Sequence, residues 1–469
     1  MERYDAVVVG AGAAGGWAAK ELCERGLTVC LIDAGPVVGA APVARGPHFL
    51  AKGTALLGGQ HVQARSGAFR AETRHLFVDD RENPYTTEPG MPFNWFRGRQ
   101  VGGRLHLWMR VTPRMTDREL HDWPFDAQEL APYYDRVETF LGVTRAKLTP
   151  EEARLRDAVE ARWPDRLVEG AASAAREPGP VPRTIEAARS TGLLTLRSDT
   201  VVRRVEVDGD GLATGVSVVG RVTGQEETLR ADTVVLAAST IETVRLMLNS
   251  ASPAHPDGLG NSSGLLGTGI ADHALVAIGG PHPSSAPAER RVGFQIAGLG
   301  HGFGVQGEIG REDWWTMAAI GPMLPRPENR VTLSPGARDA WGVPAAHIRC
   351  AFSKDETALA ADQLAVLHEL AAAAELRIER GRSLPQRLAL RLARRTLHSR
   401  DGLLVPGGAV HETGGAALGV VLDPFGGCLD APNVFVVDGA AFPSSGWQNV
   451  TLTIMALAAR AGERIAARR

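Results

Sequence analysis

Cysteine is scarce. The 469-residue chain carries 4, at Cys23, Cys30, Cys350 and Cys428, with no C-x-x-C spacing among them. Scattered single cysteines argue against a metal knuckle and against a disulfide framework, so no metal is expected. Lysine is equally rare, at Lys20, Lys52, Lys147 and Lys354, and the positive charge is therefore almost all arginine. With abundant alanine and glycine, this reads as a coding bias toward GC-rich codons rather than as a mechanism. A charge excess is missing too: the net charge of −2 gives no reason to expect nucleic acid or an anionic surface as partner. No run of about 18 apolar residues occurs, so no integral membrane segment is expected. The first apolar run opens so near the start that no room is left for a secretory leader, and a cytoplasmic protein is the expectation. What is present, 44% hydrophobic and 22% charged residues, suits a globular enzyme of two or three domains.

The stretch YDAVVVGAGAAGGWAAKELCERGLTVCLIDAG, from Tyr4 to Gly35, organises the rest. A short β-branched run leads into Gly10, Gly12 and Gly15, spaced G-x-G-x-x-G; a helical pattern over 13–25 follows, Gly26 ends it, and a second apolar run closes on Asp33. Gly10 allows the tight turn, Gly12 lets the backbone approach a pyrophosphate, and Gly15 lets helix pack on strand. The free N–H groups at Ala13 and Ala14 and the positive helix end favour phosphate. Asp33, with Ala34 beside it, stands about 20 residues on, where an acid accepts from a ribose hydroxyl. A dinucleotide site is expected.

Beyond it, FRGRQVGG offers paired glycines, Gly102 and Gly103, for close backbone approach, and arginines for phosphate or solvent. Thr149-Pro150-Glu151-Glu152 reads as a capping box opening a helix to about Trp163. Strands are expected over 193–220, broken at Asp208-Gly209-Asp210-Gly211, and again over 233–237, before a helix over 241–249. Residues 274–350 alternate short apolar runs with turns, which suits a mostly antiparallel sheet. A helix is expected over 364–380, and 382–395 reads as a basic amphipathic surface helix. The end returns to nucleotide-domain character, with NVFVV running into Asp438-Gly439-Ala440 and an alanine-rich helix over 451–468.

The expected fold is α/β: a Rossmann-type nucleotide domain with an inserted α+β substrate domain built on a mostly antiparallel sheet. Residues 1–125, 193–273 and 405–469 build the first domain, 126–192 connect toward the second, and 274–404 form it. Near the end stand His411, in GGAVHETGGAALG, and Asn449, in FPSSGWQNVTLT. A histidine can take the proton of an alcohol, and an asparagine amide can hold the alcohol oxygen.

GAGAAG with Asp33, RGRQVGGRLHLW, VVLAASTIETVRLMLNS with NSSGLLGTGIADH, and HETGGAALG through FPSSGWQNVTLT together resemble the glucose–methanol–choline (GMC) family of flavin-dependent alcohol oxidoreductases. They stand in the family's order across nearly the whole chain, and are most similar to its pyranose oxidase and sugar dehydrogenase branch. The resemblance implies FAD, expected to be non-covalent because Leu107 stands where covalent members carry the linking histidine, held at Gly10, Gly12, Ala13, Ala14, Gly15, Asp33, Ala34, Arg99, Gly102, Gly103, Val202, Ala237, Asp438, Gly439, Asn449 and Thr451. It implies His411 as base and Asn449 as its partner, with hydride passing from a secondary alcohol of a sugar, glycoside or polyol to flavin N5. Oxygen or a quinone-like acceptor would reoxidise the flavin.

The sequence departs from the family pattern at Gly415, usually threonine, at Leu418, usually methionine, and at Val450, usually proline. Where covalent members carry a flavin-linking histidine stands Leu107, with His106 one place off. A non-sugar alcohol, redox-inert FAD lyase chemistry and, more distantly, an NAD-dependent dehydrogenase or flavin hydroxylase are the alternatives. Trp314 and Trp315 read either as a sugar-stacking platform or as core, and 279–291 as a lid or a surface loop.

Overall fold

The computed structural model describes residues 3–38, 55, 58–164, 166–177, 179–283, 285–286, 292–300, 302–379 and 402–468. The basic stretch 382–395, and part of 279–291, lie outside them.

The strand–turn–helix–strand unit forms as its pattern dictates. β1 (Arg3–Val9), α1 (Ala13–Glu24) and β2 (Val29–Ile32) are buried almost throughout. Such continuous burial marks a parallel sheet covered on both faces. Two short pairings follow in sequence, β3 (Thr86–Thr87) and, after the helix α2 (Ala127–Leu141), β4 (Thr144–Arg145). Helix α3 (Pro150–Arg162) has the expected capping box, with Thr149 accepting from Glu152 N–H and Glu152 reaching back to Thr149 N–H. β5 (Val168–Gly170), β6 (Ala172–Ser173) and α4 (Arg183–Ser190) lead to β7 (Leu194–Arg197), β8 (Thr200–Val207), β9 (Ala213–Gly220) and β10 (Glu226–Leu236).

The first sheet has 7 strands in the order β7-β2-β1-β10-β9-β8, with β17 (Val434–Val436) also paired to β10. β10 is longer than its apolar end predicts. Its charged first half pairs antiparallel with β9, and its buried second half runs parallel to β1 and β17. Helix α5 (Thr240–Leu248) leaves the end of β10, and the C-terminal helix α7 (Thr451–Ala466) packs on α1.

The second sheet has 5 strands, β11 (His273–Pro281), β14 (Trp314–Pro322), β13 (Phe303–Arg311), β12 (Phe294–Leu299) and β5, each antiparallel to its neighbour. One face is apolar: Phe294, Ile296, Val305, Trp315, Met317 and Ala319 form a second core with α3 and α6 (Lys354–Ala373). The other face carries Gln295, Gln306 and Glu308. β15 (Arg330–Arg338) and β16 (Pro344–Arg349) form a separate sheet with β3, in which β16 lies between the other two, and give Val331, Ala346 and Ile348 to the nucleotide-domain core.

Helix α6 starts ten residues before the expected 364 and ends before 380. The cause is local: Ser353 caps it, accepting from the N–H groups of Asp355 and Glu356, with Glu356 completing a capping box. Trp315 is fully buried and its Nε1 donates to the Arg377 carbonyl at 3.1 Å. Trp314 pairs with Pro281, while His273 pairs with Pro322, eight residues along the same ladder. Trp315 is therefore a packing residue, while Trp314 is half-buried on the face of β14 that Ala318 shares opposite Gln306, four residues along the strand.

Candidate active site

Three chain segments converge on the β1–α1 turn. Gly10 (φ +101°) meets the end of β10 so tightly that an added Cβ would lie 2.3 Å from the Ala237 carbonyl oxygen. A Cβ on Gly15 would lie 1.7 Å from the Gly10 carbonyl oxygen. Gly12 differs: nothing stands within 4 Å of where its Cβ would point, so this glycine keeps space open rather than filling it. Gly102 closes over the turn, donating its N–H to the Ala11 carbonyl at 2.8 Å, and Gly103 stands against Gly12. Ala13 and Ala14 open α1 beneath this gap.

Asp33 ends β2. Its carboxylate accepts from Ala11 N–H (3.0 Å) and Gly35 N–H (2.9 Å), which ties the acid to the glycine turn, while burial pushes its pKa up. Arg99 packs beside it over Trp341 and faces Glu242; its Nη1 is buried without a partner among the described residues. Val202 lies two residues past Thr200, whose N–H donates to the Asp33 carbonyl. Asp33, Ala34, Arg99 and Val202 thus gather at one end of the cleft. At the other, Asp438 accepts from Ser239 N–H, Ala440 N–H and Thr243 Oγ1, and burial raises its carboxyl to about 6. Gly439 fits because a Cβ there would sit 2.5 Å from Thr240 Oγ1. Thr451 is the first residue of α7. The open space at Gly12, the helix N-terminus under it and the unpaired Arg99 Nη1 fit an extended dinucleotide, with phosphates at the turn.

His411 and Asn449 meet. Asn449 Nδ2 lies 3.4 Å from His411 Nε2, and Asn449 Oδ1 accepts from Gln306 Nε2 at 2.7 Å. Gln306 therefore sets which way the Asn449 amide points: its carbonyl is taken, and its NH2 is turned to the histidine. The backbone around His411 is held firmly. Asp272 accepts from Ala409 N–H and His411 N–H, and Arg104 donates to the Val410 carbonyl and to Glu412. Val410 sits at φ +61°, a strained conformation for a β-branched residue that this network maintains. The His273 ring stands edge-on to His411, centroids 4.9 Å apart.

The electrostatics follow from burial. His411 is held well below its usual 6.5 by desolvation, then by the neighbouring His273 and Arg104. His273 is held down to about 4 by burial, while burial and the nearby Glu412 carry the Asp272 carboxyl up to about 7. Around neutrality His411 is a neutral imidazole, able to accept a proton.

The sequence reading missed Arg104, Asp272, His273 and Gln306, although Asp272 and His273 lie in the quoted GLLGTGIADH stretch. Alternation along FGVQGEIGR was the available signal for Gln306. Glu412 is buried and paired with Arg104. His106 Nε2 lies 2.8 Å from the Val101 carbonyl, bracing the Gly102–Gly103 bend. Among the described residues no cluster of three or more His, Cys, Asp or Glu could hold a metal ion, and no helix is long and apolar enough to cross a membrane.

These features define a flavin-binding oxidoreductase. An FAD binding domain model matches residues 5–281 and a GMC oxidoreductase model matches residues 325–458. The chain belongs to the GMC oxidoreductase family: it is an FAD-dependent enzyme that oxidises CH–OH groups. Relatives over essentially the full length include 2-methyl-1,2-propanediol dehydrogenase of Mycolicibacterium austroafricanum, 26% identical over 100% of this chain and 96% of that protein. Paromamine 6'-oxidase of Streptomyces fradiae is 28% identical over 99% and 91%, and C-glycoside 3-oxidase of Microbacterium trichothecenolyticum 26% over 99% and 96%. Among solved structures, pyridoxine 4-oxidase from Mesorbium loti superposes with a TM-score of 0.70 at 18% identity, covering 98% of each chain, which establishes a shared fold.

Proposed function

We propose that this enzyme oxidises a secondary hydroxyl of a sugar, glycoside or polyol to a ketone, with His411 as base and Asn449 orienting the alcohol oxygen. The observation that carries this is the 3.4 Å approach of Asn449 Nδ2 to His411 Nε2, with Gln306 fixing the amide. An alcohol oxygen seated between the two would accept from Asn449 Nδ2 and give its proton to His411 Nε2. Arg104, Glu412 and Asp272 hold the His411 backbone, so the imidazole is positioned before substrate arrives. FAD, when bound, supplies the two-electron acceptor for the alcohol carbon. The polar sheet face bearing Gln295 and Gln306 lies over the site and suits a hydroxyl-rich molecule. The names of the relatives above, several of them glycoside or polyol oxidoreductases, support the same substrate class.

The FAD is held without a covalent bond on this reading, because Leu107 cannot form one and His106 braces the Gly102 bend. Yellow colour retained by acid-precipitated protein would refute that point. The main test is an anaerobic absorbance titration with a panel of sugars, glycosides and polyols. Bleaching of the flavin band by one class supports the proposal, and admitting air then separates oxygen from a quinone-like acceptor. His411→Ala should slow substrate-driven reduction by about 10²–10⁴-fold while FAD stays bound. An unchanged rate removes His411 from the mechanism.

A further inference from the structure

A histidine that acts as a base is normally aimed by an acceptor on its other ring nitrogen. His411 has none: its Nδ1 is buried without a hydrogen-bond partner among the described residues. On the near side Gln306 takes the Asn449 carbonyl, so the Asn449 amide donates toward His411 Nε2 and that nitrogen is left as an acceptor. The single ring proton of the neutral imidazole then sits on Nδ1. Something other than an acceptor there must stop this ring from turning.

His273 stands in that role. Its ring meets His411 edge-on, with centroids 4.9 Å apart and planes at 86°, an arrangement that aromatic pairs prefer. It is 1% exposed and opens β11, next to Asp272, whose carboxylate holds the N–H groups of Ala409 and His411. The backbone at Gly321, Gly446 and Gln448 closes around the His273 ring, and neither of its nitrogens has a well-aligned hydrogen bond. Gly446 and Gln448 belong to the segment that runs into Asn449. His273 thus lies between the segment carrying the base and the segment carrying its partner. Burial keeps it neutral until pH falls toward 4, so around neutrality it supplies shape without charge. The charged groups about the pair are Arg104 with Glu412 and, on the backbone side, Asp272.

We propose that His273 is a positioning residue: its ring is the wedge that fixes the His411 imidazole, with Nε2 turned to Asn449 and the alcohol, in place of a hydrogen bond at Nδ1. This rests on the reading of His411 as base and adds what aims it.

The test uses holoenzyme and three variants. His273→Phe keeps a flat ring, His273→Ala removes it, and His273→Leu fills the space without a ring should the alanine variant lose FAD. Anaerobic flavin reduction by the best alcohol of the panel gives the limiting rate and the substrate Kd. The expected result is a limiting rate about tenfold or more lower in the alanine or leucine variant, with Kd and FAD content nearly unchanged, and a rate within about threefold of wild type in His273→Phe. A second readout needs no substrate. Nitrogen NMR of isotope-labelled histidine, with His411 assigned by the signals lost in His411→Gln, should show one tautomer, protonated on Nδ1, in the wild type and His273→Phe. Exchange between two tautomers is expected where the ring is gone. A phenylalanine variant as impaired as the alanine one overturns the proposal, as does a wild-type rate or a single fixed tautomer without the ring. If no alcohol reduces the flavin, the base reading fails and the NMR result alone decides whether His273 holds His411.

Discussion

Single residues divide into those that fill space and those that keep it open. Gly15→Ala would press a methyl against the Gly10 carbonyl, so it should destabilise the apoprotein and prevent flavin retention. Gly12→Ala meets nothing in the protein, so the apoprotein should melt at nearly the wild-type temperature while FAD affinity falls by an order of magnitude or more. Thermal melts with and without FAD distinguish the two. The histidines give a pH signature. His273 has a folded pKa near 4, below its unfolded value, so its contribution to stability is present above pH 6.5 and is lost as pH falls toward 4. The loss is on the order of 3 kcal/mol and should be absent in His273→Asn. Asp272, raised to about 7, runs the opposite way, so the comparison must be between wild type and variant in urea titrations at several pH values. Activity should likewise stay level through neutral pH and fall only well below pH 6.5, where His411 takes a proton.

Elements were legible where local chemistry decided them. The glycine turn, the Thr149 capping box and the strand break at Asp208-Gly211 depend on residues a few places apart, and each formed within a residue or two of its expected bounds. What was hidden depends on partners far along the chain. Nothing in GVQGE says that Gln306 will hold Asn449, because that contact joins β13 to a loop 143 residues away. The start of α6 was missed for a different reason: its Ser353–Glu356 box was present in the sequence, but an alanine-rich, charge-dotted first half masked the period. Ser353→Ala should cost about 1 kcal/mol, seen as a lower urea midpoint. Gln306→Leu should leave α6 and the second core intact, since Gln306 lies on the opposite face of β13. It should lower the rate of flavin reduction about tenfold or more, with FAD content unchanged.

At the scale of the whole molecule, the residues proposed to hold FAD come from the first strand–helix unit, the paired glycines, the end of β10 and the C-terminal segment. Bound there, FAD would tie together parts of the chain that are distant in sequence. Stripping the flavin should lower the melting temperature markedly, because a ligand at about a thousand times its Kd stabilises the folded state by roughly 4 kcal/mol. The loss should be reversed on adding FAD back. The strand β13 carries a consequence of another kind. Its residues alternate between Val305 and Ile309, committed to the second core, and Gln306 and Glu308 on the opposite face, where Gln306 holds Asn449 and Glu308 pairs with Arg311. Inheritance can therefore act on the two sets separately. A lineage can exchange the side chains of the Gln306 face while the buried set goes on folding the same sheet, so change beside Asn449 need not wait on reinvention of the scaffold.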